Sequence, residues 1–264
     1  MRKLAGYFAA FLLLAFCIVG CEPKNNTLVV GCDKNFVPFV FSQDGKYVGF
    51  DIDLWEAIAQ ELGLEYQLQP MDFNQLIPAL KDKKIGVAIA GMTITSKREE
   101  DVDFSHPYFD AGLLLMVRAD TKDINSISDL NGKIVATKQG TTSADFVKSL
   151  KLVDHRAGNT PTYQSDEMKL FPEIESAYKA LADGGVDAVI FDSPSVLYHL
   201  KSEGKGSLKT TGPLYKRQSY GIAFQPGSDL KEKVSVTLLK FMEDGTYNKI
   251  YKKWFGYLKE MVQE

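Results

Sequence analysis

Between residues 27 and 256, short apolar runs alternate with stretches of helical spacing. Leu28–Cys32, Val87–Ala90, Ile134–Thr137 and Ala188–Phe191 are compact and rich in β-branched residues, the pattern of strands buried on both faces. Ile52, Trp55, Ile58, Ala59 and Leu62 recur at helical intervals, as do Leu230, Val234, Leu238 and Phe241 ahead of a stop at Gly245. Tyr247, Ile250, Tyr251, Trp254 and Phe255 continue that spacing and read as a face packed on the body of the protein. The alternation predicts an α/β protein with parallel sheet. Two further extended runs, 111–117 and Tyr220–Phe224, lie far apart in the chain. If one leaves a first lobe and the other returns to it, residues 111–217 form a second lobe inserted in a first made of 27–110 plus 218–264. The stretch 151–170, with Pro161 and mixed charges, reads as a long surface loop.

The first twenty residues differ in kind. Arg2 and Lys3 precede an uncharged run from Leu4 to Gly20, which ends at Cys21 before the polar stretch Glu22–Asn26. This is the pattern of a secretory signal, too short and too abruptly ended for a convincing transmembrane helix. The residues just before Cys21 resemble the lipobox of bacterial lipoproteins, in which the cysteine is acylated and becomes the new N-terminus. Residues 1–20 are therefore expected to be a lipoprotein signal peptide and 21–26 a lipid-anchored linker. That puts the protein outside the cytoplasm, in the periplasm or on the outer face of the cytoplasmic membrane, touching the membrane through its anchor only.

Of the three cysteines, Cys17 leaves with the signal and Cys21 carries lipid, so Cys32 has no intramolecular partner and reads as a buried, inert thiol. With 264 residues, 45% of them hydrophobic, the chain can bury one large core or two lobes. A net charge of −3 without a basic cluster argues against nucleic acid. No G-x-G-x-x-G, Walker A, H-E-x-x-H or G-x-S-x-G string occurs, and His106, His155 and His199 lack ligand spacing. No metal or cofactor is expected.

Three polar clusters follow predicted strands, where open α/β sheets bind ligands. They are Asp33–Phe39 followed by Gly49–Leu54, Ala90–Arg98 running into Asp103–Ser105, and Lys138–Ser143 paired with Phe191–Pro194. With the closing stretch Gly245–Phe255, this ordered set resembles the solute-binding proteins of polar amino-acid ABC transporters, the family 3 extracellular solute-binding proteins, and is nearest to their glutamine binders. The resemblance covers nearly all of 27–256. It implies a two-lobed type II periplasmic-binding-protein fold, each lobe a mostly parallel sheet flanked by helices, joined by two hinge strands near 108–112 and 216–220. It also implies a monomer with no enzymatic activity that binds an amino acid, glutamine favoured, and delivers it to an ABC permease in the cytoplasmic membrane.

The residue chemistry suits a free amino acid. A carboxylate is held best by a planar bidentate cation, which Arg98 offers just after the cap-rich turn Thr93–Ser96. An ammonium needs an anion with fixed acceptors beside it, and Asp192 directly follows a buried strand. Its alternative role is to cap the helix that begins near Pro194. By resemblance, the Gly91 carbonyl and Thr93 hydroxyl add acceptors for the ammonium, and Phe36 and Phe73 wall the aliphatic part of the ligand. The resemblance also puts Asp33, Lys138 and the Ala90 backbone near a terminal amide. Asp33 and Lys138 could equally form an ion pair across the cleft. Thr141 and Thr142 open the next helix and add N–H donors to the carboxylate.

Two positions depart from the glutamine binders, Phe191 where they have histidine and Thr142 where they have glycine. Other readings on the same fold are an amino-acid-sensing receptor module and a dehydratase or lyase. The latter needs a positioned acid or base, whereas the cleft charges here are taken up by a zwitterion.

Overall fold

The computed structural model of the protein describes residues 27–150 and 167–256. The predicted signal peptide, Cys21 with its linker, and the 151–166 part of the expected loop lie outside the described residues.

The chain opens with β1 (Leu28–Asp33), the hairpin β2 (Phe41–Gln43) and β3 (Lys46–Val48), α1 (Phe50–Leu62) and β4 (Tyr66–Met71). A 3₁₀ turn at Phe73–Gln75 leads into α2 (Leu76–Lys81), β5 (Val87–Ala88), the single turn α3 (Ser96–Glu99) and β6 (Asp103–Phe104). The middle of the chain supplies β7 (Phe109–Arg118), β8 (Ile134–Lys138), α4 (Thr142–Leu150), β9 (Glu167–Phe171), α5 (Ile174–Ala182), β10 (Ala188–Asp192), α6 (Ser193–Lys201) and β11 (Leu208–Tyr220). It closes with β12 (Ala223–Phe224), α7 (Leu230–Asp244) and α8 (Thr246–Phe255).

Two five-stranded sheets result, ordered β4-β1-β5-β12-β6 and β11-β7-β10-β8-β9. The first draws strands from both ends of the chain and the second only from the middle, so the chain crosses between sheets twice. Helices α1, α2, α7 and α8 pack with the first sheet, and α4, α5 and α6 with the second. Both sheets are mixed rather than mostly parallel. β1 runs parallel to β4 and β5, but β12 is antiparallel to β5 and β6. β8 runs parallel to β9 and β10, but β7 is antiparallel to β10 and β11. The antiparallel strands are those adjoining the two crossings, where the chain enters a sheet without a helical crossover.

Three expectations need correction. The loop expected over 151–170 contains, at 167–170, most of β9, an edge strand paired in parallel with β8. Its mixed polar and apolar residues hide it from a search for apolar runs. The run Tyr220–Phe224 is two strands, because Gly221 and Ile222 bond to loops instead of a ladder. Gly221 N–H donates to the Met92 carbonyl (3.0 Å), and Ile222 exchanges bonds with the backbone and hydroxyl of Ser105. The strand at Val87 stops at Ala88, since Gly91 takes a φ of +54°, a left-handed conformation suited to glycine, and turns the chain out of the sheet.

The helical stripes are core faces, as their spacing predicts. Trp55, Ile58, Val234, Leu238 and Phe255 are buried. An aromatic cluster packs the start of β7 and the end of β11 against α1 and α8: the Phe39 ring lies 5.0 to 5.9 Å from those of Phe50, Phe109, Tyr220 and Phe255. The entry to α1 is fixed by Gly49, where a Cβ would stand 2.0 Å from the Phe39 carbonyl oxygen.

Candidate functional site

The loops after β1, β4, β5, β8 and β10 converge on one small cavity. Its walls are Asp33, Phe36, Phe73, Ala90, Gly91, Thr93, Arg98, Lys138, Thr141, Thr142, Phe191 and Asp192. Every ligand-binding candidate from the sequence is in that set, and Phe191 joins them.

Arg98 is held by α3, whose N-cap Thr95 accepts the Arg98 N–H (3.2 Å). Its guanidinium donates to the Thr93 carbonyl (2.7 Å) and, across the cleft, to the Gly140 carbonyl (3.3 Å). The Phe73 ring lies beneath it, 5.2 Å from Arg98 Cζ to the ring centroid. Burial lowers its pKa, and the charge of Asp192 works against that shift.

Asp192 occupies the N-cap position of α6, yet its side chain makes no capping bond. It accepts instead from the hydroxyls of Tyr220 (2.5 Å) and Ser143 (3.0 Å). Burial pushes its pKa up, and these hydroxyls and the charge of Arg98 pull it back. Its alternative role as a simple helix cap is therefore not the geometry observed.

A second charged group lies between β1 and β8. Lys138 Nζ donates to Asp33 Oδ2 (2.5 Å), Glu173 Oε2 (3.2 Å) and the Asn35 carbonyl (3.2 Å), which uses all three of its protons. The side chains of Lys138 and Asp33 are each only 2% exposed, so this is a buried ion pair joining the two sheets. Burial raises the pKa of Asp33, with Lys138 the main opposing influence.

The threonine hydroxyls are engaged within the protein. Thr141 donates to the Lys138 carbonyl (2.7 Å) and accepts from the Ala144 N–H (3.2 Å) at the start of α4. Thr142 donates to Gln218 Oε1 (2.7 Å) and lies 3.5 Å from the Thr93 hydroxyl opposite. Phe36 serves both core and cavity, stacking on Phe39 at 4.8 Å and meeting Phe191 edge-on at 5.8 Å. Its ring also requires glycine at 91, where a Cβ would stand 2.2 Å from Phe36 Cε1.

Sequence reasoning missed Glu173, Ser143 and Tyr220 as partners of the charged groups. Ser143 sits beside two threonines already singled out and Tyr220 ends a strand already read, so both were within reach. Glu173 precedes a helix in a stretch without a readable pattern.

Residues 28–257 match the model of the bacterial extracellular solute-binding proteins, family 3. The L-cystine-binding protein TcyJ of Escherichia coli K12 is 31% identical over 237 residues, covering 88% of this chain and 84% of its own. A solved structure of an ancestral arginine-binding protein bound to arginine is 42% identical with a TM-score of 0.78, covering 87% of this chain and 98% of its own. A structure of an ancestral arginine-binding protein bound to glutamine is 43% identical with a TM-score of 0.77, covering 87% and 98%. The type II periplasmic-binding-protein fold follows from these structures, and the relatives are binding proteins, not enzymes. The chain belongs to the family 3 bacterial extracellular solute-binding proteins.

Proposed function

We propose that the protein captures a polar L-amino acid outside the cytoplasm, glutamine in the first place, and delivers it to an ABC permease for import. The observation that carries this reading is the convergence of opposite charges from both sheets on one small cavity. Arg98 takes the α-carboxylate, and Asp192 takes the α-ammonium with the Gly91 carbonyl and Thr93 hydroxyl beside it. Thr141 and Thr142 lend N–H groups to the carboxylate. Phe36 and Phe73 cover the aliphatic part, while Asp33, Lys138 and the Ala90 carbonyl meet the terminal carboxamide.

The halves 27–110 plus 218–264 and 111–217 act as two lobes hinged where β7 and β11 pair, near Phe109 and Tyr220. Only the closed form completes the contacts, so ligand shifts the hinge equilibrium by its differential affinity. Cys21 anchors the receptor by its lipid, and Cys21→Ala is expected to release it into the soluble fraction.

A cationic amino acid is the second reading, and it has its own observation. Lys138 faces two carboxylates, Asp33 and Glu173, which leaves one net negative charge at the side-chain end. Among the relatives, arginine-binding proteins are well represented. The amide reading is preferred because a buried ammonium at this end repels a cation, and exchanging its 3.2 Å bond to the Asn35 carbonyl frees a proton for a carboxamide oxygen.

A thermal-shift screen of the twenty amino acids tests both. At about a thousand times Kd a ligand stabilises by about 4 kcal/mol, a Tm rise of about 8–16 °C for a chain of this size. Glutamine should give the largest shift. A larger response to arginine, lysine or histidine selects the second reading, and no response to any amino acid removes both.

A further inference from the structure

Asp51, on the first turn of α1, takes no part in the contacts assigned above, yet it reaches the loop that forms the cavity wall. It is fully buried. Its Oδ2 accepts the Gly91 N–H (2.8 Å), and its Oδ1 accepts the Tyr108 hydroxyl (2.9 Å). Among the described residues no cation balances it. The titratable groups that act on it or feel its charge are Cys32 and Asp33 of β1, Tyr108, Tyr220 at the end of β11 and Tyr247 of α8. All of these are acids. On its own helix Asp53 is engaged elsewhere, by Lys253 and Trp254. Keeping a carboxylate in such surroundings is costly, and its two oxygens accept from separate donors, which an amide with a single oxygen does not reproduce.

The geometry of the peptide bond indicates what the charge does. The Ala90–Gly91 bond is trans, since Val37–Pro38 is the only cis peptide among the described residues. In a trans peptide the N–H and C=O point in opposite directions. With Asp51 gripping the Gly91 N–H, the Ala90 carbonyl is directed to the other side, and Ala90 lines the cavity. Among the described residues no hydrogen bond is made to that oxygen. An anion on the N–H also polarises the peptide and makes its carbonyl a stronger acceptor.

We propose that Asp51 is a positioning and specificity residue: its carboxylate aims and polarises the Ala90 carbonyl so that the side-chain end favours ligands bearing N–H donors over those bearing a carboxylate. This rests on the reading of the cavity as an amino-acid site. Carboxamide, guanidinium and ammonium side chains gain from the aimed carbonyl, and glutamate is disfavoured.

The charge on Asp51 also makes the effect depend on pH. Burial pushes its carboxyl up to about 7, against the opposing hydrogen bonds from Tyr108 and Gly91. Above that pH the carboxylate polarises the peptide, and below it the effect is lost.

The test is calorimetric titration of the purified protein with glutamine and glutamate from pH 5.5 to 8.5. Wild-type affinity for glutamine should fall by about five- to tenfold as pH drops through 7. Asp51→Asn should bind glutamine at the lower level throughout, with no step near 7 and a narrower preference over glutamate. Tyr108→Phe removes a donor that holds the carboxyl charged, so it should move the step to higher pH; this variant serves if Asp51→Asn does not fold. Glu175→Gln should leave the step in place, although burial pushes that carboxyl to about 7 as well. Equal glutamine affinity of Asp51→Asn and wild type at pH 8.5, or an unmoved step in Tyr108→Phe, overturns the proposal. A wild-type protein that binds no amino acid would instead count against the functional reading.

Discussion

Arg98→Ala is expected to weaken amino-acid binding by about 30- to 4,000-fold, the equivalent of about 2–5 kcal/mol for truncating one partner of a buried charge pair. Among the described residues, two of the five guanidinium N–H groups are used, on the carbonyls of Thr93 and Gly140. The rest are free for a carboxylate. Removing the side chain strands the ligand carboxylate in a site from which water is largely excluded, so much of the loss is desolvation without compensation. Arg98→Lys keeps the charge but loses the planar fork, and should recover only part of the affinity. Because Arg98 caps no helix and its guanidinium is not part of the core, the unliganded Tm should change little. A large fall in Tm with affinity preserved would mean that Arg98 is structural. Calorimetry and a melting curve on the same sample distinguish the two.

Lys138→Met should be the most damaging change to stability among the site residues. It leaves Asp33 buried with only backbone donors beside it, the Lys34 N–H (2.8 Å) and that of Asn35, among the described residues. Breaking a buried pair in this way costs about 3–5 kcal/mol, a Tm loss of about 6–20 °C. The sign of its pH dependence is set by Asp33, whose pKa is raised by burial even with Lys138 present. Without Lys138 the carboxyl rises further. The folded state then takes up a proton at a pH where the unfolded chain does not, so the lost stability returns as pH falls toward the unfolded value. Melting curves at pH 8 and pH 5 should show the gap to wild type narrowing at the lower pH. The same change takes the side-chain end from one net negative charge to two. Glutamine binding should weaken at least about tenfold, while arginine should gain relative to it. Unchanged glutamine affinity would remove Lys138 from ligand contact and leave it as a cross-cleft tie.

Strands buried on both faces were legible as apolar runs, and helices with one buried stripe as periodicity, because each pattern records a burial requirement directly. What stayed hidden has a common cause. β4 and β9 are sheet edges whose sequences, Tyr-Gln-Leu-Gln-Pro-Met and Glu-Met-Lys-Leu-Phe, mix polar and apolar positions. The break at Gly221 is set by Ser105 and Met92 more than a hundred positions away, which no local pattern reports. At the site, the residue types and their ordered loops located the cavity, since carboxylates and cations directly after buried strands are costly unless something uses them. The partners were less visible. Glu173 meets Lys138, and Tyr220 meets Asp192, only through the packing of the second sheet and its crossing to the first.

The central claim, that Arg98 grips the carboxylate of a zwitterion while Asp192 grips its ammonium, is tested most directly by pairing each variant with a ligand lacking the matching charge. Glutamine, glutamine α-amide and N-acetylglutamine are titrated into wild type, Arg98→Ala and Asp192→Asn. The account predicts that Arg98→Ala weakens glutamine strongly but costs little further with the α-amide, and that Asp192→Asn does the same with N-acetylglutamine. Losses that simply add, with each variant discriminating the three ligands as wild type does, would contradict it.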